Sequence, residues 1–403
     1  MAGESAPPPT SRQAPSFDAT ASPTAQAGTA DVRSRATPNA GARPAGPLAR
    51  LSTAVALAAV CVIGVVYGTR TPDAASTSAP PTSFSAQRAM RHVRAIAERP
   101  HPTGSQDNAR VREYLMTELR AMSLAPEIQD VTGVATRYAA AGRVRNVVVR
   151  IPGAQPGGPA VLMMAHYDGV AAGPAASDDG AGSAAVLETL RALRAGTPLT
   201  HDVIALFTDA EEDGLIGAAA FVREHRWTKD VAVVLNFEAR GSNGPSYMFE
   251  TGPGNLGVVR VLRGVSDVRA TSLTTAVYRQ LPNDTDLSEI ELVGLQAMNF
   301  AFIGRLDHYH TTQDDPAHLD PGSLQHHGHQ MLALVRAFAN GPLPLTRTSD
   351  AVFFDFPGLG LVVYGERWAI PLAIVACCWS PLRWGVLASV ESRTGGAVWF
   401  SGR

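Results

Sequence analysis

The chain has 403 residues, with 34 basic and 36 acidic side chains and a formal net charge of −2. This near balance gives no electrostatic reason to expect nucleic acid as a partner, and the length allows one large domain with appendages. Cys61, Cys377 and Cys378 lie in hydrophobic segments near the two ends, so we expect no structural disulfide, and a metal bound in the middle of the chain must be held by imidazole and carboxylate groups.

The N-terminal part divides into a tail and a membrane anchor. Residues 1–47 are rich in Ala, Pro, Ser, Thr and Gly, which predicts a disordered tail. The uncharged run 51–69, LSTAVALAAVCVIGVVYGT, predicts a transmembrane anchor over 48–69 that contacts the lipid bilayer. A cleaved signal peptide has a shorter apolar core near the start of the chain. Arginines are more frequent before the span than after it, so the positive-inside rule places the following residues outside the cytoplasm.

A folded domain is predicted after a short linker. Residues 70–84 have the composition of a linker, and the domain extends over 85–345. Two helices open it, and their apolar stripes recur at helical spacing. The first stripe contains Met90, Val93 and Ile96, and the second contains Val111, Leu115 and Leu119.

Five apolar runs then alternate with helical patterns. The runs are NVVVRI (146–151), AVLMMAH (160–166), DVIALFTD (202–209), VAVVLNFE (231–238) and QAMNFAFI (296–303), and the helical patterns cover about 181–194, 214–226 and 321–339. Runs that are apolar on both faces are typical of strands covered by helices on both sides. The predicted fold class is therefore α/β with a mixed, mostly parallel sheet.

The C-terminal segment 346–403 is hydrophobic. Its apolar run from Trp368 to Trp379 is short for a membrane span, and Pro381 and Arg383 interrupt it. A hairpin, an interfacial segment and a remnant span all fit this pattern.

Polar clusters follow the apolar runs, where the carboxyl ends of parallel strands form a ligand-binding crevice. His166 and Asp168 lie two residues apart, so the strand period puts both side chains on one side, where the carboxylate can fix the tautomer of the imidazole. A purely structural pair fits equally. The adjacent Asp178 and Asp179 repel each other unless a positive charge is near, and capping of the next helix explains only one of them.

The remaining clusters are similarly ambiguous one by one. The run DAEEDG at 209–214 fits a solvated loop, but Glu211 and Glu212 also suit one proton shuttle and one metal ligand. Glu238 ends a buried strand and needs a partner, and His310 supplies a second imidazole. The histidines of the run QHHGHQ (325–330) lie in a helical pattern, where we expect a partly exposed helix rather than a metal cluster.

Together these residues carry a resemblance to a known family. The motifs PHPTGSQDN, AHYD, SDDGAG, FTDAEEDGLIGAAAF, NFEARG, NDTD and YHTTQDD occur in family order. From about Pro100 to Ala339 the chain resembles the dizinc aminopeptidases of peptidase family M28, above all the membrane-anchored branch with fungal vacuolar membrane proteases and endoplasmic reticulum metallopeptidases. The resemblance implies a three-layer α/β/α fold of the zinc-peptidase, phosphorylase/hydrolase-like type. Because those relatives continue with a many-spanning membrane region, we interpret 346–403 as a truncated membrane region.

The resemblance also implies two Zn²⁺ ions per chain and a set of site residues. The implied ligands are Asp178 as the bridging carboxylate, Glu212 and His310 for one ion, and His166 and Glu238 for the other. Glu211 corresponds to the general base, Asp168 to the residue that orients the first histidine, and Tyr309 to a group that polarises the substrate carbonyl.

The implied activity is that of a membrane-anchored zinc aminopeptidase. A hydroxide that bridges the two zinc ions would attack the peptide carbonyl after Glu211 takes the proton of the water. The expected substrates are peptides with a free N-terminus, and the catalytic domain is expected on the non-cytoplasmic side of the membrane, held by one or a few spans. Nothing in the sequence indicates the oligomeric state.

Two other functions fit part of the pattern. A glutaminyl-cyclase-like acyltransferase has a similar fold but usually one zinc, whereas the five-ligand set favours two ions. A receptor domain with the peptidase fold would lack catalysis, but neither a ligand nor the base is missing from this chain.

Overall fold

A computed structural model describes residues 46–378. The predicted tail over 1–47 lies outside these residues except for its last two, and so does the segment from 379 onward. The predicted tail and the end of the C-terminal segment therefore stay predictions.

Helix α1 (Pro47–Thr69) is the predicted anchor region, and its side chains are exposed along most of its length. Within residues 46–378 it is the one helix long and apolar enough to cross a membrane, over the 20 residues Arg50–Thr69. At 1.5 Å per residue this stretch is about 30 Å long, close to the thickness of a bilayer's hydrocarbon core.

Further helices and strands build the domain. The helices are α2 (Ala86–Ile96), α3 (Gln106–Ala121), α4 (Gly180–Arg194), α5 (Ile216–Glu224), α6 (Leu256–Leu262), α7 (Ser272–Tyr278), α8 (Asp286–Leu292) and α9 (Pro321–Asn340). The strands are β1 (Glu127–Ala135), β2 (Ala140–Ile151), β3 (Ala160–His166), β4 (Asp202–Thr208), β5 (Val231–Ala239), β6 (Tyr247–Thr251), β7 (Arg269–Ala270), β8 (Gln296–Phe302), β9 (Ala351–Phe356) and β10 (Gly360–Gly365). The five predicted strands and the three predicted helices between or after them are confirmed. Their ends agree to within a few residues, except at the start of β2.

The central sheet has eight strands in the order β1-β2-β4-β3-β5-β8-β6-β7. Its middle strands β4, β3, β5 and β8 are mutually parallel. Strands β1 and β2 pair antiparallel with their neighbours, and β6 pairs antiparallel with β8 and parallel with β7. The parallel strands place their carboxyl ends at one edge of the sheet.

Helices cover both faces of the sheet. Successive side chains of a strand point to opposite faces, so each strand contributes to two cores. On β3, Val161 and Met163 pack in the core with α2, α3, α4 and α9. Leu162 and Met164 pack in a second core with α5 and α8. This three-layer arrangement confirms the predicted fold class.

The predicted linker 70–84 contains no helix or strand, but it lies bound along the domain. The Thr71 hydroxyl donates to Asp320 Oδ2 (3.1 Å), and the Ala75 N–H donates to Gln325 Oε1 (3.0 Å). The Phe84 side chain is 3% exposed. Apart from Phe84 the segment has no large apolar residue, so its composition predicts few core contacts and the polar contacts carried no sequence signal.

The end of the described chain forms a separate two-stranded sheet. Strand β9 pairs antiparallel with β10, and residues 369–378 are helical. A hairpin is therefore present, although it precedes the apolar run that suggested one.

The histidine-rich part of α9 differs from expectation. His326 is 1% exposed and His327 is fully buried, where it packs edge-on against Phe237 and Phe302. Ser246 is within hydrogen-bond distance of His327 Nδ1 (2.8 Å). His326 and His327 are core residues, since neighbours from other elements bury them, whereas His329 is exposed as expected.

Helix α5 approaches the end of β4 so closely that only glycine fits at position 217. A Cβ on Gly217 would lie 2.2 Å from the Asp209 carbonyl oxygen and 2.5 Å from Asn146 Oδ1. This contact fixes the segment that leads to Glu211 and Glu212.

Gly217→Ala is expected to lower the free energy of unfolding by about 1–3 kcal/mol, because the added methyl group overpacks this contact. Gly158→Ala is the control, since its Cβ would meet only the Gln155 carbonyl oxygen at 3.5 Å, and we expect a change within ~0.5 kcal/mol. Urea denaturation of both variants measures the difference, and equal losses would contradict the argument.

Candidate metal centre

The predicted site residues converge at the carboxyl edge of the sheet. His166 ends β3, Glu238 lies one residue before the end of β5, and Asp178 precedes α4. The loop after β4 supplies Glu211 and Glu212. His310 reaches the same place from the loop after β8.

Asp178 lies between the two histidines. Its Oδ1 is 3.2 Å from His166 Nε2, and its Oδ2 is 3.0 Å from His310 Nε2. Each imidazole has a second carboxylate of its own: Glu238 Oε2 lies 3.5 Å from His166 Nε2, and Glu212 Oε1 lies 3.0 Å from His310 Nε2. The five side chains thus divide into two groups that share Asp178.

Asp179 is close to the same atoms but is occupied by the backbone. Donor atoms of His166, Asp179 and Glu238 lie within 4.8 Å of one another, as do those of His166, Asp178 and Glu212. However, Asp179 Oδ1 caps α4 through the Gly182 N–H (2.9 Å), and Oδ2 accepts from the His166 N–H (3.2 Å). Asp179 therefore fixes the position of His166 and of the helix start.

Asp168 orients the site differently from the predicted imidazole–carboxylate pair. His166 Nδ1 lies 3.0 Å from the Asp168 carbonyl oxygen, whereas the nearest Asp168 carboxylate oxygen is 3.6 Å away. The carboxylate instead accepts from the backbone N–H groups of Glu211 (3.1 Å) and Glu212 (3.2 Å). Asp168 thus links the two segments that carry His166 and the adjacent glutamates.

Asp314 holds the loop of Asp178. Its carboxylate accepts from the N–H groups of Ser177 (2.7 Å) and Asp178 (3.2 Å), and its carbonyl oxygen accepts from the Ala176 N–H (3.1 Å). Three successive backbone groups are thereby fixed by one residue, which is itself 3% exposed.

Two residues of the site have left-handed backbone conformations. Ala210, directly before Glu211, has φ of 60°, and His310 has φ of 56°. Such conformations are costly for residues other than glycine and concentrate at functional sites. They turn the glutamates and the second imidazole toward Asp178.

Burial and crowding shift the pKa values of the site. Burial raises the pKa of Glu211 well above its usual value, and the carboxylates of Glu238 and Asp286 add to this effect. Burial and the charge of Asp178 raise the pKa of Glu212 to about 7. Burial would lower the pKa of His310, but its contacts with Asp178 and Glu212 outweigh burial and raise that pKa to about 9. The site therefore holds more carboxylate groups than positive charges that could neutralise them.

The side chains fit a divalent cation. Glu212 Oε1 is buried and accepts no hydrogen bond from the described residues. His310 Nε2, 3.0 Å away, carries one N–H at most and lies equally close to Asp178 Oδ2. An unpaired buried carboxylate oxygen is costly unless a cation compensates it. Imidazole nitrogen and carboxylate oxygen are ligands that Zn²⁺ accepts.

A cavity of about 470 Å³ opens beside Asp178, Glu211 and Glu238. Tyr309 lines it and stacks on the His310 ring, with ring centroids 3.7 Å apart. Burial and the charge of Asp178 raise the pKa of Tyr309, so its hydroxyl stays protonated at neutral pH. The other walls are mostly apolar and include Phe249, Leu273, Val277, Leu281, Ile303 and Leu306.

Sequence reasoning missed several positioning residues. Asp314 belongs to the motif YHTTQDD, and Thr103, whose hydroxyl donates to Asp168 Oδ2 (3.2 Å), belongs to PHPTGSQDN. Their presence inside the motifs was the available signal. Asp286, hydrogen-bonded to Thr208, ends the motif NDTD and lies under the glutamates.

The sequence profile described as "Peptidase family M28" matches residues 146–335. The chain contains a peptidase family M28 domain. The matched residues include all five convergent ligand candidates.

Named relatives of this M28 domain include an endoplasmic reticulum metallopeptidase and a vacuolar membrane protease. The chain is 30% identical to endoplasmic reticulum metallopeptidase 1 of Mus musculus over 302 residues, 69% of this chain and 33% of the relative. It is 33% identical to the vacuolar membrane protease of Candida albicans over 238 residues, 57% of this chain and 28% of the relative. These matches confirm the predicted resemblance to the branch of the family that includes endoplasmic reticulum metallopeptidases and vacuolar membrane proteases. Because the chain spans about a third of these relatives' length, the activity, substrates and partners of the whole protein are proposals.

Solved structures agree on the fold. A zinc aminopeptidase from Bacillus subtilis superimposes with a TM-score of 0.53 at 14% identity, over 67% of this chain and 98% of that one. A glutaminyl cyclase from Tannerella forsythia gives a TM-score of 0.52 at 17% identity, over 63% and 99%. Both kinds of enzyme share this fold, so the fold does not choose between them.

Asp314→Asn is expected to weaken zinc binding by about 10–100-fold. The NH2 of the new amide would face one of the backbone N–H groups that now donate to the carboxylate. Competition with a chelator measures the affinity. Asp315→Asn is the matched control, since Asp315 instead accepts from the N–H groups of Ala317 and His318 at a more exposed position. Unchanged zinc affinity in Asp314→Asn would contradict the positioning role, whatever its effect on stability.

Proposed function

We propose that the chain is a membrane-anchored zinc aminopeptidase that holds two zinc ions. The observation that carries this proposal is the carboxylate of Asp178 between two imidazoles, each with its own glutamate. One shared carboxylate with two separate ligand pairs is the arrangement that a two-metal site needs. His166 and Glu238 would hold one ion, His310 and Glu212 the other.

When bound, the zinc ions would supply positive charge that lowers the pKa of water and polarises a carbonyl group. Glu211 lines the cavity beside Asp178, and its backbone is fixed by Asp168, which supports a role of its carboxylate as the general base. It would take a proton from the attacking water and return it to the amine that leaves. Tyr309, still protonated, would donate a hydrogen bond to the oxygen of the carbonyl under attack.

The cavity supports an exopeptidase with a preference for apolar residues. Carboxylates lie at its inner end, where the charged α-amino group of a substrate would be neutralised. Apolar walls follow, so the first side chain of the peptide would bury apolar surface there. Leu and Phe are the expected N-terminal residues.

Helix α1 would anchor the domain in the bilayer. Its length and the uncharged run 51–69 support a membrane span, and one of the named relatives is a vacuolar membrane protease. Four arginines between positions 33 and 50 precede the span, so the domain would lie on the non-cytoplasmic side.

Glu211→Gln is expected to reduce the hydrolysis of leucine p-nitroanilide by about 10²–10⁴-fold, because the amide cannot take the proton. Mass spectrometry should still find about two zinc ions per chain, as in the unchanged protein. Asp213→Asn is the control, because this exposed neighbour lies in the same loop and should leave the rate unchanged. A full rate in Glu211→Gln would overturn the assigned role, and one zinc with cyclisation of N-terminal glutamine would favour the cyclase instead.

Blocking the substrate's amino group is expected to abolish hydrolysis. Leu-Gly-Gly and its N-acetyl derivative differ only in the positive charge that the carboxylates of the cavity would neutralise. Chromatography of the products measures both rates and shows which bond is cut. Equal rates, or cleavage away from the first peptide bond, would exclude an aminopeptidase while leaving a metallopeptidase in place.

A further inference from the structure

The outer face of the β9–β10 hairpin is apolar, and its side chains are exposed or only partly buried by the described residues. Antiparallel partners share a face of the sheet, and Phe354 pairs with Val362 while Val352 pairs with Tyr364. Phe356 continues the same face. The opposite face, with Phe353 and Leu361, is buried in the domain core. A surface hairpin normally alternates apolar and polar residues, whereas this one has an apolar outer face and, on its inner face, Asp355 as the one charged residue of the two strands.

The exposed fractions are large for aromatic and aliphatic side chains. Phe354 is 37% exposed, Phe356 is 50% exposed, and Leu359 in the turn is 75% exposed. The uncharged run FPGLGLVV covers residues 356–363, so no charge interrupts the turn or the middle of β10. Contiguous apolar surface of this kind marks a contact with a partner or a membrane.

The turn of the hairpin lies beside the end of helix α1. Tyr67, in the last turn of α1, and Leu359 line the same cavity of about 320 Å³. The Tyr67 ring packs under the guanidinium of Arg269 at 3.9 Å, and its hydroxyl accepts from Arg269 Nη1 at 3.0 Å. The Tyr247 hydroxyl also donates to the Gly68 carbonyl oxygen (3.2 Å). The end of the helix is therefore attached to the domain next to the hairpin.

The other end of the hairpin continues into a second apolar segment. Residues 369–378 are helical and uncharged, and Ile370 is 73% and Ile374 57% exposed. The hairpin thus has the end of helix α1 beside its turn and the apolar helical segment 369–378 after its second strand.

We propose that the outer face of the β9–β10 hairpin rests on the lipid bilayer as a second membrane contact of the catalytic domain. This proposal depends on the proposed function insofar as α1 crosses the bilayer. Tyr67 is within about 3 Å, along the axis, of the helix end, so it lies at the depth where Tyr and Trp side chains concentrate at membrane interfaces. The neighbouring turn then lies at the same depth, and Phe356 and Leu359 enter the headgroup region.

A bilayer fits this face better than a protein partner. Its side chains are apolar or aromatic, without the charged groups that set the register of a protein interface. The contact of Arg269 with α1 holds this face at a fixed distance from the lipid. Binding of a separate protein partner would not require that contact.

The test uses the full chain in phosphatidylcholine vesicles. Cys61, Cys377 and Cys378 are replaced by alanine, and a single cysteine is introduced by Leu359→Cys and labelled with an environment-sensitive fluorophore. Val134→Cys is the control, because Val134 is 48% exposed on β1, at the opposite edge of the sheet from β7 and the hairpin. Lipids with a nitroxide near the headgroup report contact with the bilayer, and iodide reports contact with water.

The expected result is quenching at position 359 by nitroxide lipid that is several-fold stronger than at position 134, with the reverse order for iodide. Strong iodide quenching at both positions, in protein that resists carbonate extraction, would overturn the hairpin contact while the anchor stands. Extraction by carbonate would overturn the anchor and the hairpin contact together. Protection from both quenchers, lost when the protein is diluted with excess lipid, would replace the bilayer by a second copy of the chain.

Discussion

The whole site depends on a buried carboxylate, Asp178, placed between two imidazoles from distant parts of the chain. The backbone that carries it is fixed by Asp314, and the neighbouring Asp179 caps α4 and accepts from the His166 N–H. Each of these contacts links a loop to the carboxyl edge of the sheet. A change in any one of them would separate the two oxygens of Asp178 from one of their histidines.

This arrangement has an electrostatic cost that the fold alone does not remove. Burial and mutual repulsion raise the pKa values of Glu211, Glu212 and Asp286, and one oxygen of Glu212 is buried without a hydrogen-bond donor. The parallel strands beneath are rigid and apolar, so the carboxylates cannot separate. A bound cation would remove the repulsion, which ties the stability of this edge to the same charge that the reaction requires.

The sequence could predict those parts of the structure whose residues form a pattern along the chain. The parallel strands are apolar on both faces, so their runs stand out, and the polar residues at their ends locate the site. The hydrogen bond from His166 to the carbonyl oxygen of Asp168, rather than to its carboxylate, depends on the loop conformation and has no pattern in the sequence. His327 looks polar in the chain and is buried because Phe237, Phe302 and Ser246 surround it. The short strands β6 and β7, at one side of the sheet, have no periodicity in the sequence for the same reason: their pairing partners define them.

The attachment of α1 to the domain connects the two ends of the chain with the sheet. Arg269 belongs to β7, the last strand of the central sheet, and its guanidinium contacts Tyr67 of the helix. The Ala270 N–H, one residue further, donates to Asp355 of the hairpin (3.3 Å). Helix, sheet edge and hairpin therefore meet at one short strand. A domain held to its anchor only by a flexible segment could rotate freely, whereas these contacts, together with the bound segment 70–84, fix its orientation relative to the helix and so to any membrane that the helix crosses.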